Sequence, residues 1–205
     1  MNYLAHLHIA DHTQTSFSGN FLGDFVKGDP DRQFPSDIVQ GIRLHRHVDS
    51  FVDRNAHVLA AKAWFPQPLR RYAPIALDMF WDHFLAVHWQ QFHSLSLSEF
   101  CVMAEQKIQA ETADQQIILP ARFQRVNGWV WQDKWLESYR GVDNIQYALT
   151  RMATRSERMA PLAQTGQVLT QYYQAFNDIF LVLYNEVLQE VETFLVAVNN
   201  KKETD

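Results

Sequence analysis

Leu77-Asp78-Met79-Phe80-Trp81-Asp82-His83-Phe84-Leu85 is the stretch whose reading decides the fold. Asp78 and Asp82 are four residues apart, so on a helix they stack on one face, with His83 about 100° further round. Leu77, Phe80, Trp81, Phe84 and Leu85 make the remaining surface apolar, which marks a central helix. Acidic groups on such a helix need partners, because an unpaired charge out of water is costly. Salt bridges to Arg43, Arg46 or Arg71 would serve, and so would metal ligation or acid–base work.

The same spacing recurs upstream. His45 and Asp49 are again one turn apart on a periodic stretch opened by Pro35-Ser36-Asp37 and running to about Ala63, with Asp53 a further turn along. Leu69 to about Phe92 is expected as one long helix, followed by a turn over Ser94 to Ser98 and a helix from Ser98-Glu99 to Ala113. Shorter helices are expected over Pro120 to Val130, Lys134 to Tyr139 and Val142 to Met159, joined at Gly128 and Gly141. A last one, with bends allowed, runs from Gln167 to about Val198. Ser18-Gly19-Asn20 reads as a helix start, and residues 3–10 form an apolar segment that by length suits either strand or helix. Nothing alternates long enough to demand a sheet. The expected fold is all-α, a single compact domain over residues 1–205 with about eight helices.

With 47% hydrophobic residues in 205, the chain has ample material for a core, and intrinsic disorder is excluded. A net charge of −5 argues against a general nucleic-acid binder. The charge is uneven, however. Arg43, Arg46, Arg54, Lys62, Arg70 and Arg71 face only Asp49 and Asp53 between Ile42 and Ala73, a pattern that suits either an anionic partner or a solvated helix face. Cys101 is the single cysteine, which excludes a disulfide framework and a thiolate zinc cluster. The first residues lack the basic and long apolar regions of a signal peptide, and Asn185, Glu186, Gln189, Glu190 and Glu192 interrupt the apolar run near the end. A cytoplasmic protein without a membrane span is expected.

Carboxylates gathered among apolar residues would be neutralised by a divalent cation, and imidazole with carboxylate suits Mg²⁺, Mn²⁺ or non-haem iron better than structural zinc. Asp24, between Phe21-Leu22-Gly23 and Phe25-Val26, would add a ligand from a third segment or merely form a turn. His6 and His8 read equally as core histidines or ligands. No glycine-rich phosphate loop, Gly-x-Ser-x-Gly elbow or His-Glu-x-x-His motif is present.

Met1-Asn2-Tyr3-Leu4-Ala5-His6-Leu7-His8 and Gly19-Asn20-Phe21-Leu22-Gly23-Asp24-Phe25-Val26-Lys27-Gly28 resemble the opening of the bacterial acyl carrier protein phosphodiesterases. Gly41-Ile42-Arg43-Leu44-His45-Arg46-His47-Val48-Asp49-Ser50-Phe51-Val52-Asp53 and Arg70-Arg71-Tyr72-Ala73-Pro74 through Asp82-His83-Phe84 to Trp89 resemble the same family, with weaker matches at Leu119-Pro120-Ala121-Arg122 and Trp135-Leu136-Glu137-Ser138-Tyr139. The resemblance spans essentially the whole chain. It implies an all-helical relative of the HD-type metal phosphohydrolases that removes the 4′-phosphopantetheine arm from holo acyl carrier protein. It also implies Mn²⁺ or a similar divalent ion (Mg²⁺ or Fe²⁺) as cofactor and an active-site role for the motif of Asp24. The usual His-Asp doublet stands here reversed, as Asp82-His83.

On that resemblance Asp24, His45, Asp49, Asp78, Asp82 and His83 are assigned to the metal or to orienting water, with Asp24, His45, Asp82 and His83 as the catalytic set. Arg43 and Arg46, with Arg70 and Arg71, are assigned to the phosphate and to an acidic carrier protein. No nucleic-acid or membrane partner is expected. Two other readings fit the residues: a metal-dependent phosphohydrolase of nucleotides or other small phosphoesters, and a non-catalytic helical binding protein whose acidic groups are salt-bridged.

Overall fold

Helix periodicity dominates the chain, and the computed structural model, which describes residues 1–114 and 117–202, is helical throughout its ordered elements. Among the described residues there are twelve α-helices and no strand. The first segment is a helix, α1 (Tyr3–His12), followed by α2 (Phe17–Leu22), α3 (Ser36–Arg54) and α4 (Ala56–Lys62). After a 3-10 turn at Arg70–Tyr72 come α5 (Ala73–Val87), α6 (Trp89–Phe92), α7 (Leu97–Glu111) and α8 (Ala121–Gln132). The remainder is α9 (Trp135–Ser138), α10 (Val142–Ala153), a 3-10 segment at Glu157–Gln164, α11 (Gly166–Gln171) and the long α12 (Tyr173–Lys202).

The count exceeds the expected eight because continuous periodic stretches are interrupted. The stretch opened by Pro35 breaks at Asn55, whose backbone is extended (φ −62°, ψ 133°) and whose side chain accepts the His57 N–H at 2.9 Å, starting α4 afresh. The aromatic stretch does not begin at Leu69; α5 starts at Ala73 with Pro74 in its first turn, where a missing N–H costs nothing. Helix α10 ends at Ala153, and the chain resumes as a 3-10 segment from Glu157, so Val142 to Met159 is not one helix. Helix α7 begins at Leu97, capped by Ser96 and Glu99, which satisfy each other's backbone N–H groups in a capping box.

Helix α5 is central, as its apolar circumference requires. Phe80, Trp81 and Phe84 are fully buried, and Phe80 meets Phe176 of α12 at a ring distance of 5.3 Å. Truncating either phenylalanine would cost about 3–5 kcal/mol. Helices α2 and α3 cross at backbone contact: a Cβ at Gly19 would lie 2.4 Å from the Ile38 carbonyl, and one at Gly41 would lie 2.9 Å from Gly19 Cα. Helix α2 starts at Phe17, one residue earlier than Ser18. Ser16 caps it, and the Glu111 carboxylate accepts the N–H groups of Phe17 (3.1 Å) and Ser18 (2.7 Å). That anchored crossing places the α2 C-terminus, and with it Asp24, beside the middle of α3. No described helix is long and apolar enough to cross a membrane.

Candidate active site

Four elements deliver polar groups to one end of α1. Helix α3 places His45 and Asp49 one turn apart, and α1 brings His6 against them. The two imidazoles stack at 3.6 Å between ring centroids, 20° from parallel. His6 Nε2 lies 3.1 Å from Asp49 Oδ1, and His45 Nε2 lies 3.1 Å from Asp49 Oδ2. Asp24, just beyond α2, brings Oδ1 to 3.6 Å from the same His45 nitrogen. Its side chain is 46% exposed and that of Asp49 is 36% exposed, while both imidazoles are buried, so the carboxylates form the mouth of the cluster.

Helix α5 adds Asp78 and Asp82, on the shared face that their spacing predicts, but their partners differ. Asp78 accepts the Met1 ammonium at 2.8 Å, and that ammonium also reaches Asp49 at 3.2 Å. Asp82 is fully buried and receives the backbone N–H groups of Asn2 (3.2 Å), Leu4 (2.8 Å) and Ala5 (3.2 Å). It therefore acts as the cap of α1, whose own N-cap residue, Asn2, makes no side-chain capping bond. Unsatisfied N–H groups and the helix dipole both draw a carboxylate there.

Electrostatics follow from burial and these partners. Burial alone would lower the His45 pKa, but Asp24 and Asp49 outweigh it and raise the value to about 9. His6 goes the other way: burial, joined by the neighbouring His45 charge, takes it down to about 4. Burial would raise Asp49, yet His6, the ammonium and His45 hold it well below the usual carboxylate range. Asp24 is also held low, chiefly by His45 acting against burial. For the Met1 ammonium, Asp78 and Asp49 overcome burial and lift the pKa to about 11. Asp82 is pushed up to about 7 by burial, with the Leu4, Ala5 and Asn2 amides opposing.

The donor set fits a divalent cation. One ligand atom each from His6, His45 and Asp49 lies within 4.8 Å of the others. His45 has the arrangement a ligating imidazole needs: Nδ1–H donates to the Asn20 carbonyl at 2.7 Å, leaving Nε2 aimed at the cluster. Nε2 is buried without an aligned hydrogen bond, despite the two carboxylates beside it. A bound cation would displace the proton that those carboxylates hold on it.

Of the residues singled out from sequence, Asp24, His45, Asp49 and Asp78 converge. Asp82 joins them only through α1. His83 does not join them: its Nδ1–H donates to the Tyr139 carbonyl (2.8 Å) and its Nε2 accepts from the Tyr173 hydroxyl (2.9 Å). The Asp82-His83 doublet is thus split, because consecutive helical residues diverge by about 100°.

The four arginines are engaged locally. Arg43 pairs with Asp31 at 2.6 Å. Arg46 donates to the carbonyls of Val26 (2.7 Å) and Gly28 (2.8 Å), fixing the loop after Asp24. Arg70 reaches the Ala63 carbonyl at 3.3 Å, and Arg71 donates to the Tyr72 hydroxyl and stacks on its ring.

His6 and the Met1 ammonium are the participants not assigned from sequence. Tyr3 is a third neighbour: burial and then Asp24 raise its hydroxyl to about 12, with Arg122 and Arg155 opposing.

An all-helical domain with a buried imidazole–carboxylate centre, open at Asp24 and Asp49, is the class that fold and site define. The family described as acyl carrier protein phosphodiesterase matches residues 1–187, and the chain belongs to it. Among its relatives, a protein named acyl carrier protein phosphodiesterase from Escherichia coli O6:K15:H31 (strain 536 / UPEC) is 39% identical over 191 residues, covering 93% of this chain and 97% of the relative. Proteins of the same name from Enterobacter sp. (strain 638) and Klebsiella pneumoniae are each 40% identical over 193 residues, covering 94% of this chain and 98% of theirs. No solved structure is significantly similar.

Proposed function

We propose that this chain hydrolyses the phosphodiester joining 4′-phosphopantetheine to a serine of holo acyl carrier protein, releasing apo carrier protein and 4′-phosphopantetheine. Family membership supports the substrate class. The observation that carries the chemistry is the convergence of His6, His45 and Asp49, with Asp24 at the mouth, from three separate segments. His6, His45 and Asp49 would hold the divalent cation, Mn²⁺ on the family resemblance, which supplies a Lewis acid that offsets phosphoryl charge and acidifies water.

The chain's own groups do the remaining work. Asp24, held low and therefore ionised, accepts a hydrogen bond from the attacking water and orients it toward phosphorus. The Asn20 carbonyl fixes the His45 ring, and Arg46 fixes the loop on the other side of Asp24. The Met1 ammonium offsets the charge of Asp49 and Asp78, so the mouth does not repel an anionic diester.

The test is incubation with holo carrier protein and Mn²⁺, read by mass spectrometry as loss of the prosthetic arm. Asp24→Asn should abolish that loss and leave the melting temperature unchanged. Turnover of nucleotides with an intact carrier would refute the reading, as would a fully active Asp24→Asn protein. Elemental analysis of the untreated protein reports the metal.

A further inference from the structure

Helix α8 packs near the site and has an outward face that the chemistry above leaves unused. Its sequence, Ala121 to Gln132, contains two arginines and no carboxylate, in a chain whose net charge is −5. Arg122, Arg125 and Trp129 fall within about 60° of one another around the helix axis. All three are exposed, the tryptophan by 49%. Among the described residues neither guanidinium has a carboxylate partner, in contrast to Arg43 with Asp31.

The inner face ties this surface to the site. Phe123 is buried against Phe21 and Phe25, at ring distances of 5.2 and 5.5 Å. Phe25 follows Asp24 directly and stacks on Tyr3 at 6.3 Å. The Arg122 guanidinium lies over the Phe25 ring, 5.3 Å from its centroid. A partner seated on α8 therefore shares a wall with Asp24.

We propose that the exposed face of α8, formed by Arg122, Arg125 and Trp129, is the docking surface for an acidic segment of the protein substrate. This rests on the hydrolytic reading above. Unpaired arginines supply a field complementary to clustered carboxylates, and an exposed tryptophan beside them supplies apolar contact at small entropic cost.

The test is steady-state kinetics of the Arg122→Glu/Arg125→Glu double variant on holo carrier protein, with thermal melting as the folding control. The expected result is a KM raised about tenfold or more, kcat within about twofold, and a flattened dependence of KM on salt. Arg122→Lys/Arg125→Lys should restore most of the affinity, and Trp129→Ala should raise KM severalfold. A double variant with wild-type KM would overturn the docking face, and so would a fall in kcat at unchanged KM, which would place the arginines in the chemistry. Self-association of the wild type that the double variant loses would reassign the face to a second copy of the chain. Titration of the carrier into the Asp24→Asn protein separates the two readings. Binding that the charge reversals weaken, without any hydrolysis by the wild type, would refute the hydrolytic reading and leave the docking face standing.

Discussion

Gly23→Ala adds one methyl group beside the centre of the site, and its effect can be worked from the packing. Gly23 has ordinary helical dihedrals (φ −49°, ψ −40°), so alanine suits the backbone and would contribute about 0.4–1 kcal/mol by restricting the unfolded chain. The added Cβ, however, would stand 2.2 Å from Cγ and Cδ2 of His45 and 2.7 Å from its Cβ. That is more than an ångström inside ordinary carbon contact of about 3.5–4.0 Å. The ring has little freedom to retreat, held by the 2.7 Å bond from Nδ1 to Asn20 and by the His6 ring at 3.6 Å. Overpacking of this kind costs about 1–3 kcal/mol. The net loss is then about 0–2.6 kcal/mol, a fall in melting temperature of up to roughly 10 °C for a chain of this size. Displacing Nε2 by about an ångström should cost around 10²-fold in kcat. Calorimetry and the rate of arm release measure both. Near wild-type turnover in a folded Gly23→Ala protein would refute the placement of His45 at the reacting centre. Gly128→Ala is the control, since its methyl group meets nothing within 4 Å and should stabilise α8 by about 0.5–1 kcal/mol.

Asp82→Asn replaces one of the two acceptor oxygens that three amides of α1 share, leaving a buried donor facing a donor, so stability should fall by about 1–3 kcal/mol with faster hydrogen exchange at Leu4 and Ala5. Unchanged exchange there would remove Asp82 from its capping role. His8, held neutral by burial with a pKa near 4, gives a pH signature. The unfolded imidazole takes a proton below about 6.5, which the folded one refuses until about 4, so this part of the stability is present above pH 6.5 and lost as pH falls through that window. Denaturant titrations of wild type and His8→Gln should converge by roughly 3 kcal/mol between pH 7 and pH 4, and parallel curves would refute the assignment.

The register of α3 and α5 was legible because a 3.6-residue period in apolar sequence fixes which side chains share a face. Asp24, His45, Asp49 and Asp78 follow from that period and from their setting. His6 was not separable from His8 because Leu4 to Ala10 are all buried, so no polar side of the helix distinguishes the two rings. Only the neighbours do: His8 is satisfied by Phe92 and Tyr184, whereas His6 turns to Asp49. Asp82 was unreadable for another reason. Its partners are backbone amides, which carry no residue identity. A charge count along 42–73 likewise cannot see that Asp31 and two loop carbonyls already occupy Arg43 and Arg46. The break at Asn55 carries neither glycine nor proline, so the periodic sequence alone reads as one continuous helix across it.

The carboxylate that receives the first amides of α1 lies 78 residues beyond Leu4. As a nascent chain leaves the ribosome, that first helix can pack on the second and third, but its leading amides have no carboxylate until the fifth has emerged and folded back upon it. Chemical competence should appear late and all at once, and a shortened chain ending before Trp81 should be silent however much helix it retains.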